Sequence, residues 1–306
     1  MELPKELRQL YKHWRFHVAG SSYKPSTRSI FKSSAYRKKV EKFVHERLHI
    51  WKQKYLGKPK PYTKDTILQT FRFCNIYREF DRQTIEFHTL LNPVRDDFSL
   101  WLLNMFYFRL VANTDTVRKL GLLSFDEKKN EKFYRTFMQL PRPKFGVPYV
   151  FPVSVIMKTK YKTRELFISY YLPAVMKKVA KEIQTWKGVS VCEGMKKVIP
   201  LFGFNLSFLW NEVLIDVAYQ YPEYIDLFKE FPVGPGSLPT MRNINAKVEP
   251  HLLVAELAKE NIWSGITYNR KPLRLSSENW EGIGCEYRKY TNLSKGTGRK
   301  RVYTSA

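Results

Sequence analysis

The sequence has few cysteines and no long apolar run. Cys74, Cys192 and Cys285 are the three cysteines in 306 residues, and they are far apart, odd in number and never in a CxxC pair. A disulfide framework or a thiolate zinc site is therefore not expected. No run of about 18 apolar residues is present, and the first residues, MELPKELRQLYKHW, lack the apolar stretch of a signal peptide. We expect a soluble, intracellular protein with no membrane partner.

Histidine is also scarce, and four of the six histidines, His13, His17, His45 and His49, lie near the start of the chain. Each neighbouring pair has the i, i+4 spacing that can bring two imidazoles to one metal ion. No carboxylate or cysteine cluster in the sequence completes either pair, so no metal site is predicted. No cofactor is evident, although a divalent metal is compatible with the chemistry considered below.

Acidic residues are outnumbered. The chain has 53 Lys and Arg against 28 Asp and Glu, a net charge of +25, with 15% aromatic residues. Unbalanced positive charge of this size indicates an anionic partner, and a polyphosphate backbone is the usual one. Residues 1–60 hold sixteen Lys or Arg against four Glu, a net of +12. Nearly half of the excess therefore lies in the first fifth of the chain.

Residues 33–56 predict a basic amphipathic helix. Its apolar positions recur at helical spacing and are Val40, Phe43, Val44, Leu48, Trp51 and Tyr55. Such a helix can bind a polyanion or a membrane surface, or it can be solvated. Because the apolar stripe is aromatic and continuous with a domain-sized core, we favour the polyanion over the membrane.

The apolar periodicity predicts a mainly α-helical protein. Helices are expected at residues 64–90, 97–111, 116–120, 126–140, 172–186, 192–199 and 204–221. The prolines within residues 141–152 forbid a continuous helix there. Lys158, Lys160 and Lys162 alternate with other residues, which on a strand would give one basic face. That face can follow a phosphate backbone, or it can be a solvated edge protected by charge.

The predicted helix at 64–90 carries an unusual polar stripe among aromatic residues, formed by Arg72, Asn75, Arg78, Asp81 and Arg82. Burying a guanidinium costs several kcal/mol unless it meets a carboxylate, a carbonyl or a bound anion. The stripe is therefore either a structural lattice of ion pairs or part of a pocket for an anion or a base.

A second polar group lies in the helix at 204–221, where Glu212, Asp216 and Gln220 are four residues apart. Two carboxylates on one ridge repel unless a proton, an arginine or a metal ion lies between them. This helix is therefore a candidate acid/base or cation site, or an exposed polar face. Arg109 is an isolated charge in the apolar helix at 97–111.

Two further motifs follow. In VGPGS, the glycines at 234 and 236 permit positive φ and close backbone approach, so that with Arg242 they can contact phosphate. A tight turn between helices needs the same residues. In CEYRKY, Glu286 can act as a general base whose pKa is set by Lys289, or the two can form an ordinary i, i+3 pair.

Four motifs in this order resemble the helical-domain family of phage thymidine-hypermodification proteins. That family includes alpha-glutamyl/putrescinyl-thymine pyrophosphorylases, amino acid:DNA transferases and the helical domain of 5-hydroxymethyluracil DNA kinases. The motifs are FRFCNIYREFDRQT, LNMFYFRLVANTDT, VGPGS, and CEYRKY followed by GTGRKR. The resemblance covers the chain from about residue 58 to its C-terminus. Residues 1–57 are then predicted to be a basic helical extension, 58–290 the catalytic domain and 291–306 a basic tail.

The resemblance implies a DNA-glycosylase-like helical fold with a helix–hairpin–helix-like GPG turn. It implies an enzyme that replaces the phosphate or pyrophosphate of an activated 5-hydroxymethyluracil in double-stranded DNA with an amino acid or a polyamine. Such a protein is expected with DNA in the cytoplasm of an infected bacterial host. An N-glycosylase and a non-catalytic DNA-binding subunit stay open as alternatives. Because GxxxxGK[ST] is missing, the protein is not expected to phosphorylate DNA.

The patterns described above and the resemblance together give candidate roles for individual residues. The candidate catalytic residues are Glu286, Asp216 and Cys285, of which the cysteine can add to C6 of a uracil ring or be a small buried side chain. The candidate substrate-binding residues are Arg72, Asn75, Arg78, Asp81, Arg82, Arg109 and Lys289. The candidate DNA-binding residues are Gly234, Gly236, Arg242, Lys158, Lys160, Lys162 and Arg299. Arg288 departs from the acidic residue expected at its position.

Overall fold

The computed structural model describes residues 1–146 and 158–298, and the described chain is mainly helical, as predicted. In chain order the α-helices are α1 (Lys5–Leu10), α2 (Ser34–Tyr55), α3 (Thr66–Thr70), α4 (Arg82–Leu91), α5 (Phe98–Val111), α6 (Thr114–Leu120), α7 (Glu127–Gln139), α8 (Arg164–Leu166), α9 (Leu172–Ile183), α10 (Val191–Phe202), α11 (Ser207–Gln220), α12 (Leu238–Asn245), α13 (Pro250–Leu257) and α14 (Ser277–Ser294). The π-turn Phe167–Tyr171 joins α8 to α9. Short 3-10 turns are His13–Phe16, Arg78–Phe80 and Asn92–Val94, and β1 (Thr267–Tyr268) pairs with β2 (Lys271–Pro272) antiparallel.

The chain divides into two compact units. Unit 1 contains residues 1–81 and 227–306, and unit 2 contains residues 82–226. These limits do not coincide with the boundaries predicted at residues 57 and 290. Residues 1–57 pack within unit 1, where Tyr11, Trp14 and Val40 are buried in its core. The role predicted for them, contact with phosphate, stays a prediction.

Unit 1 is built around α14, which packs against α2, α3, α12 and α13. The helix begins with a capping box, in which the Ser276 and Asn279 side chains each accept a hydrogen bond from the other's backbone N–H, at 3.3 and 2.9 Å. This arrangement satisfies two donors that the first turn leaves unpaired. Trp280, Ile283 and Tyr287 recur at helical spacing and are buried. The amphipathic helix α2 is confirmed at nearly its predicted bounds.

Unit 2 is centred on α5, which packs against α9, α11 and α4. Asp97 begins this helix by accepting the N–H of Leu100 at 3.0 Å. All but two residues of α5 are buried, which explains its nearly continuous apolar sequence. In the described ranges, no single helix is long and apolar enough to span a membrane. The neighbouring helices α10 and α11 reach that apolarity only together, and they are bent by 119° at their junction.

The single helix predicted at 64–90 is wrong. The chain leaves the helix after α3, runs through an irregular segment at 71–77 and a 3-10 turn, and becomes helical again at Arg82. The reason is that side chains distant in the sequence satisfy this backbone. Arg47 donates to the carbonyl oxygens of Phe73 and Cys74, both at 3.1 Å. Because these groups have partners, no helix is needed to satisfy them.

The strand considered at residues 158–164 is also absent from the described structure. Lys158, Lys160 and Lys162 are exposed in a turn and an irregular segment that ends at α8. The Thr159 hydroxyl accepts the N–H of Tyr161 and donates to its carbonyl oxygen, at 3.0 and 2.9 Å. Such local side-chain bonds compete with a strand ladder. Residues 147–157, which include half of the proline-rich segment 141–152, and Arg299 lie outside the described residues.

A helix–hairpin–helix arrangement at the GPG turn is not confirmed. The turn leads into α12, but residues 221–237 before it contain no helix. Neither Gly234 nor Gly236 adopts the positive φ that a glycine permits. Instead, a Cβ at Gly236 would lie 2.8 Å from Cys285 Sγ, and the N–H of Gly234 donates to Glu281 at 3.2 Å. The glycines allow this turn to approach α14 closely.

Two glycines of α14 provide a test of that close packing. A Cβ added at Gly284 would overlap Ser237 Oγ and lie 2.5 Å from Met241 Cε, whereas one added at Gly282 meets nothing within 4 Å. We expect Gly284→Ala to lower the free energy of unfolding by about 1–3 kcal/mol through overpacking. Gly282→Ala should raise it by about 0.5–1 kcal/mol, because alanine favours the helix. Urea denaturation measures both, and equal stability of the two variants would contradict the packing.

Candidate functional site

A polar site in unit 1 lies where α14 meets the irregular segment 71–77. Glu286 Oε2 accepts the N–H of Cys74 at 3.2 Å, and the Lys289 ammonium lies 3.8 Å from the same oxygen. That ammonium also donates to the carbonyl oxygen of Arg72 and lies 4.7 Å from the centre of the Phe73 ring. The motif FRFCNIYREF and the motif CEYRKY therefore form one site, although about two hundred residues separate them in the sequence.

Burial sets the electrostatics of Glu286. Loss of hydration raises the pKa of this carboxyl above its usual range, and the Lys289 ammonium, the Cys74 amide and the Arg47 guanidinium oppose that rise. A carboxylate with a raised pKa is a stronger base than an ordinary glutamate. The geometry therefore suits Glu286 to accept a proton from a group bound beside it.

Asp81 closes the segment next to this carboxylate. One of its oxygens accepts the backbone and the side-chain N–H groups of Asn75, at 3.1 and 2.8 Å. Burial raises the pKa of Asp81 to about 6, against the opposing effects of Asn75 and the Arg78 charge. Asp81 and Asn75 therefore hold the shape of the segment. The substrate-binding roles predicted for both, and for Arg72 and Arg78, stay predictions.

Cys285 lies beside Glu286 but in a different environment. Its side chain is half-buried against Gly236. Burial, together with the Glu286 and Glu281 carboxylates, raises the pKa of this thiol to about 11. Because the thiolate is the nucleophile, these surroundings disfavour attack on a uracil ring at neutral pH. Its predicted catalytic role stays a prediction, and the geometry supports the small-core-residue alternative better.

Arg47 is the member of this site that the sequence did not single out. It is 3% exposed, lies on α2 and holds the carbonyl oxygens of Phe73 and Cys74. A signal was present, because position 47 falls between Val44 and Leu48 on the apolar face of the helix. A charged residue at a core position of an amphipathic helix indicates a buried partner.

Unit 2 contains a separate buried ion pair. Arg109 donates to both oxygens of Asp216, each at 2.6 Å, and to the Thr84 hydroxyl at 3.2 Å. His88 Nε2 lies 3.1 Å from Asp216, and Gln220 Nε2 lies 3.0 Å from His88 Nδ1. The Asp216 carboxylate is fully buried, which alone would raise its pKa, but the Arg109 charge and these hydrogen bonds hold the pKa well below its usual range.

The sequence left open whether a proton, an arginine or a metal ion neutralises Asp216. The structure shows that Arg109 does. The isolated charge of Arg109 and the buried aspartate were both noticed, but their pairing across 107 positions was not. His88 and Thr84 were missed. An ionised, fully hydrogen-bonded carboxylate is a weak proton acceptor. Glu286 is therefore a better candidate for the general base than Asp216.

Arg82 lies elsewhere in unit 2. It is exposed at a cleft of about 430 Å³ that Asn113, Glu86 and Arg118 also line. In this cleft the Arg118 guanidinium pairs with Glu86. The sequence grouped Arg82 with Arg78 on one helix face, but the two arginines belong to different units. Arg242, the basic residue after the GPG turn, is exposed on α12 of unit 1.

One cluster in the described part of the chain can hold a metal ion. One ligand atom each from His13, His17 and Glu79 lies within 4.8 Å of the others, and all three side chains are buried. The carboxylate that the sequence did not supply therefore comes from the 3-10 turn at 78–80. His13 Nε2 and Glu79 are hydrogen-bonded at 2.6 Å, and burial lowers the pKa of His17 to about 3. A neutral imidazole is the form that binds metal.

Comparison with known proteins identifies the family. The model of the 5-hmdU DNA kinase helical domain matches residues 34–299. The chain belongs to this family. The family resemblance derived from the four motifs is thereby confirmed, and the matched range begins at the first residue of α2. Both the Glu286 site and the Asp216–Arg109 pair lie inside the matched range.

A 5-hmdU DNA kinase of Bacillus phage SP10 is 33% identical to this chain over 95 residues. The match covers 29% of this chain and 15% of the relative, so the chain matches only a small part of the relative's length. No solved structure matches the chain.

The buried pair of unit 2 gives a stability prediction. Asp216→Asn leaves the Arg109 charge buried without its carboxylate, which should lower the free energy of unfolding by about 3–5 kcal/mol. Glu223→Gln, an exposed glutamate of unit 2, is the control and should change little. Both are measured by urea denaturation at neutral pH.

The same pair gives a pH dependence. Because folding lowers the pKa of Asp216, its stabilisation is present above the unfolded pKa of about 3.9 and is lost as the pH falls below it. The wild type should therefore lose more stability on acidification than Asp216→Asn. Parallel losses in the two proteins would show that the ion pair contributes nothing.

Proposed function

We propose that this protein modifies DNA by replacing the phosphate or pyrophosphate on an activated 5-hydroxymethyluracil with an amine. One observation carries the proposal: Glu286, a half-buried carboxylate with a raised pKa, lies in the CEYRKY motif of a chain from the 5-hmdU DNA kinase helical-domain family. An amine attacks only after losing a proton, and a base of raised pKa suits that task. The kinase activity of the phage relative is not part of the proposal.

The proposed reaction is a substitution at the 5-methylene carbon of the base. The amine nitrogen forms a bond to the 5-methylene carbon, and the bond from that carbon to the phosphate oxygen breaks, so the phosphate leaves with the electron pair. Glu286 takes the amine proton. Positive charge near the departing phosphate stabilises it, and Lys289, Arg72 and Arg78 are the candidate donors. A divalent cation can assist the same charge.

The proposed substrates follow from the chain's charge and family. The proposed substrate is double-stranded DNA carrying a modified pyrimidine, whose phosphates are complementary to the net charge of +25. A base must leave the helical stack before its 5-substituent can be reached, which is the reason for proposing a DNA-glycosylase-like, base-extruding mode of binding. An amino acid or a polyamine is the proposed co-substrate. We propose that the protein acts on phage DNA in the infected host cell.

Asp216 has a different proposed role. Its carboxylate is engaged by Arg109 and His88, so it positions α11 against α4 and α5 rather than accepting a proton. Lys158, Lys160, Lys162 and Arg242 are exposed, as phosphate contacts require. The Gly234 N–H already donates to Glu281, so a phosphate contact there would have to share or replace that bond.

Mass spectrometry of nucleosides tests the reaction. DNA carrying 5-pyrophosphomethyluracil is incubated with the protein and a pool of amino acids and polyamines, then digested. We expect a new nucleoside with an amine at the 5-methylene carbon. A free base or an abasic site would instead indicate an N-glycosylase, and unchanged DNA that binds tightly would indicate a non-catalytic subunit.

Substitution of the proposed base gives a sharper prediction. Glu286→Gln keeps the shape of the side chain but removes the proton acceptor, so transfer should fall by about 100-fold or more while the melting temperature and DNA binding stay unchanged. Glu230→Gln, an exposed glutamate of unit 1, is the control and should keep its activity. Full transfer by Glu286→Gln would exclude Glu286 as the base.

The pH profile provides an independent readout. A base works when it is deprotonated, and burial raises the pKa of Glu286. Transfer by the wild type should therefore decline on acidification at a higher pH than the usual glutamate pKa of about 4.3. The residual activity of Glu286→Gln should lack this decline. A wild-type profile that is flat down to that pH would contradict the assignment.

A further inference from the structure

Unit 1 has a large groove that the proposed chemistry does not use. It has a volume of about 1330 Å³ and is bounded by α2, the segment that leads into α3, the start of α12, and α14. Small-molecule sites usually measure about 300–1,000 Å³. The groove therefore has room for an extended ligand rather than for one small cofactor.

Aromatic side chains form much of the groove. Its aromatic residues are Tyr36, Phe43, Tyr62, Tyr287 and Tyr290. Tyr287 lies 5.4 Å from Phe43 and 5.8 Å from Tyr36, between ring centres, so these rings form one packed floor. Tyr36, Tyr62 and Tyr290 are only half-buried, so part of each side chain is accessible. Accessible tyrosines are the usual platform on which nucleobases stack.

The charges at the groove are mostly positive. The basic residues that line it are Lys39, Lys42, Lys64, Arg288 and Lys295, with His49 beside them. Its two carboxylates already have partners within unit 1. Asp65 accepts the Tyr290 hydroxyl at 2.6 Å and the N–H of Leu68 at 3.0 Å, and Glu46 accepts the Thr63 hydroxyl. The ammonium groups of Lys39 and Lys42 on α2 are exposed.

We propose that this groove binds a single-stranded stretch of DNA, with bases stacked on its tyrosines and phosphates held by Lys39, Lys42 and Lys295. Positive charge alone would also suit an acidic peptide, but accessible aromatic rings interleaved with cations are the pattern that unpaired nucleotides recognise. The inference rests on the proposed function only in taking DNA as the ligand.

The groove shares a wall with the Glu286 site. Phe73 packs against Phe43 and Tyr290 at 6.2 and 6.5 Å between ring centres, and the Lys289 ammonium lies over the same Phe73 ring. Glu286 and Tyr287 are consecutive on α14. A strand in the groove would therefore run past the proton acceptor, with Phe73 between them. This places an unpaired pyrimidine near the proposed chemistry.

Binding of a fluorescein-labelled, single-stranded oligothymidylate to the full chain tests the proposal by fluorescence anisotropy. Tyr62→Leu removes an aromatic face and should raise Kd about tenfold, since stacking contributes about 1–3 kcal/mol per base. Tyr62→Phe keeps the face and should bind within about twofold of the wild type. Unchanged affinity in Tyr62→Leu would overturn the stacking role.

Charge is tested by the double variant Lys39→Gln/Lys42→Gln. Each lost phosphate contact should reduce the slope of log affinity against log salt by about 0.7, giving a slope about 1.4 smaller for the pair. The control is Lys128→Gln/Lys132→Gln, which removes two exposed lysines from α7 of unit 2. Because Lys39 and Lys42 are exposed, this variant keeps the test usable even if Tyr62→Leu fails to fold. Equal slopes in both double variants would overturn the proposal.

The outcomes separate this proposal from the transfer reaction. Impaired binding in the groove variants supports the groove even if no amine is ever transferred. Normal binding in those variants overturns it even if transfer is confirmed. A peptide of glutamates that competes as well as the oligonucleotide would show that the groove takes any polyanion and would overturn the preference for nucleotides.

Discussion

The shape of the Glu286 site depends on the Arg47 guanidinium, which holds two consecutive backbone carbonyls of the segment 71–77. With those carbonyls satisfied, the segment can leave the helix and present its amides instead. The Cys74 amide then fixes Glu286, and the Asn75 amide fixes Asp81. A buried cation thus organises two carboxylates without touching a substrate. In physical terms, two backbone carbonyl dipoles offset part of the cost of burying the Arg47 guanidinium, and the two carboxylates are not needed for that purpose.

The sequence correctly predicted the helices for which the spacing of apolar residues is sufficient evidence. The helices α2 and α5 were predicted nearly to their ends, because a core stripe and a cap are local signals. The segment 71–81 was mispredicted because its hydrogen-bond partners lie in α2 and α14, and Glu286 is 212 positions away. No local periodicity carries that information. Asp216 was recognised as needing a neutralising partner and Arg109 as an isolated charge, but the cost of burial indicates only that a partner exists, not which residue it is.

The two polar constellations that the sequence picked out serve different physical ends. The pair in unit 2 is buried and bidentate, and the two charges neutralise each other, so it contributes to the stability and geometry of three packed helices. The group in unit 1 is partly accessible, and its carboxylates have raised pKa values. A carboxylate whose pKa is lowered by its partners stays ionised and serves the structure. A carboxylate whose pKa is raised by burial can gain or lose a proton near neutral pH, which is typical of a functional site. This contrast distinguishes the two groups more clearly than residue type does.

The position of the cysteines has a consequence for chemical labelling. Cys74 is exposed, whereas Cys192 and Cys285 are half-buried, and Cys285 packs against the backbone at Gly236. The exposed thiol belongs to the residue whose amide holds Glu286. Burial and the nearby Glu286 and Asp81 carboxylates raise the pKa of the Cys74 thiol well above its usual range, so a thiol reagent reaches this segment best at alkaline pH. The natural sequence thus provides an attachment point for a spectroscopic probe there, and the loss of its reactivity would report directly on anything that covers the site.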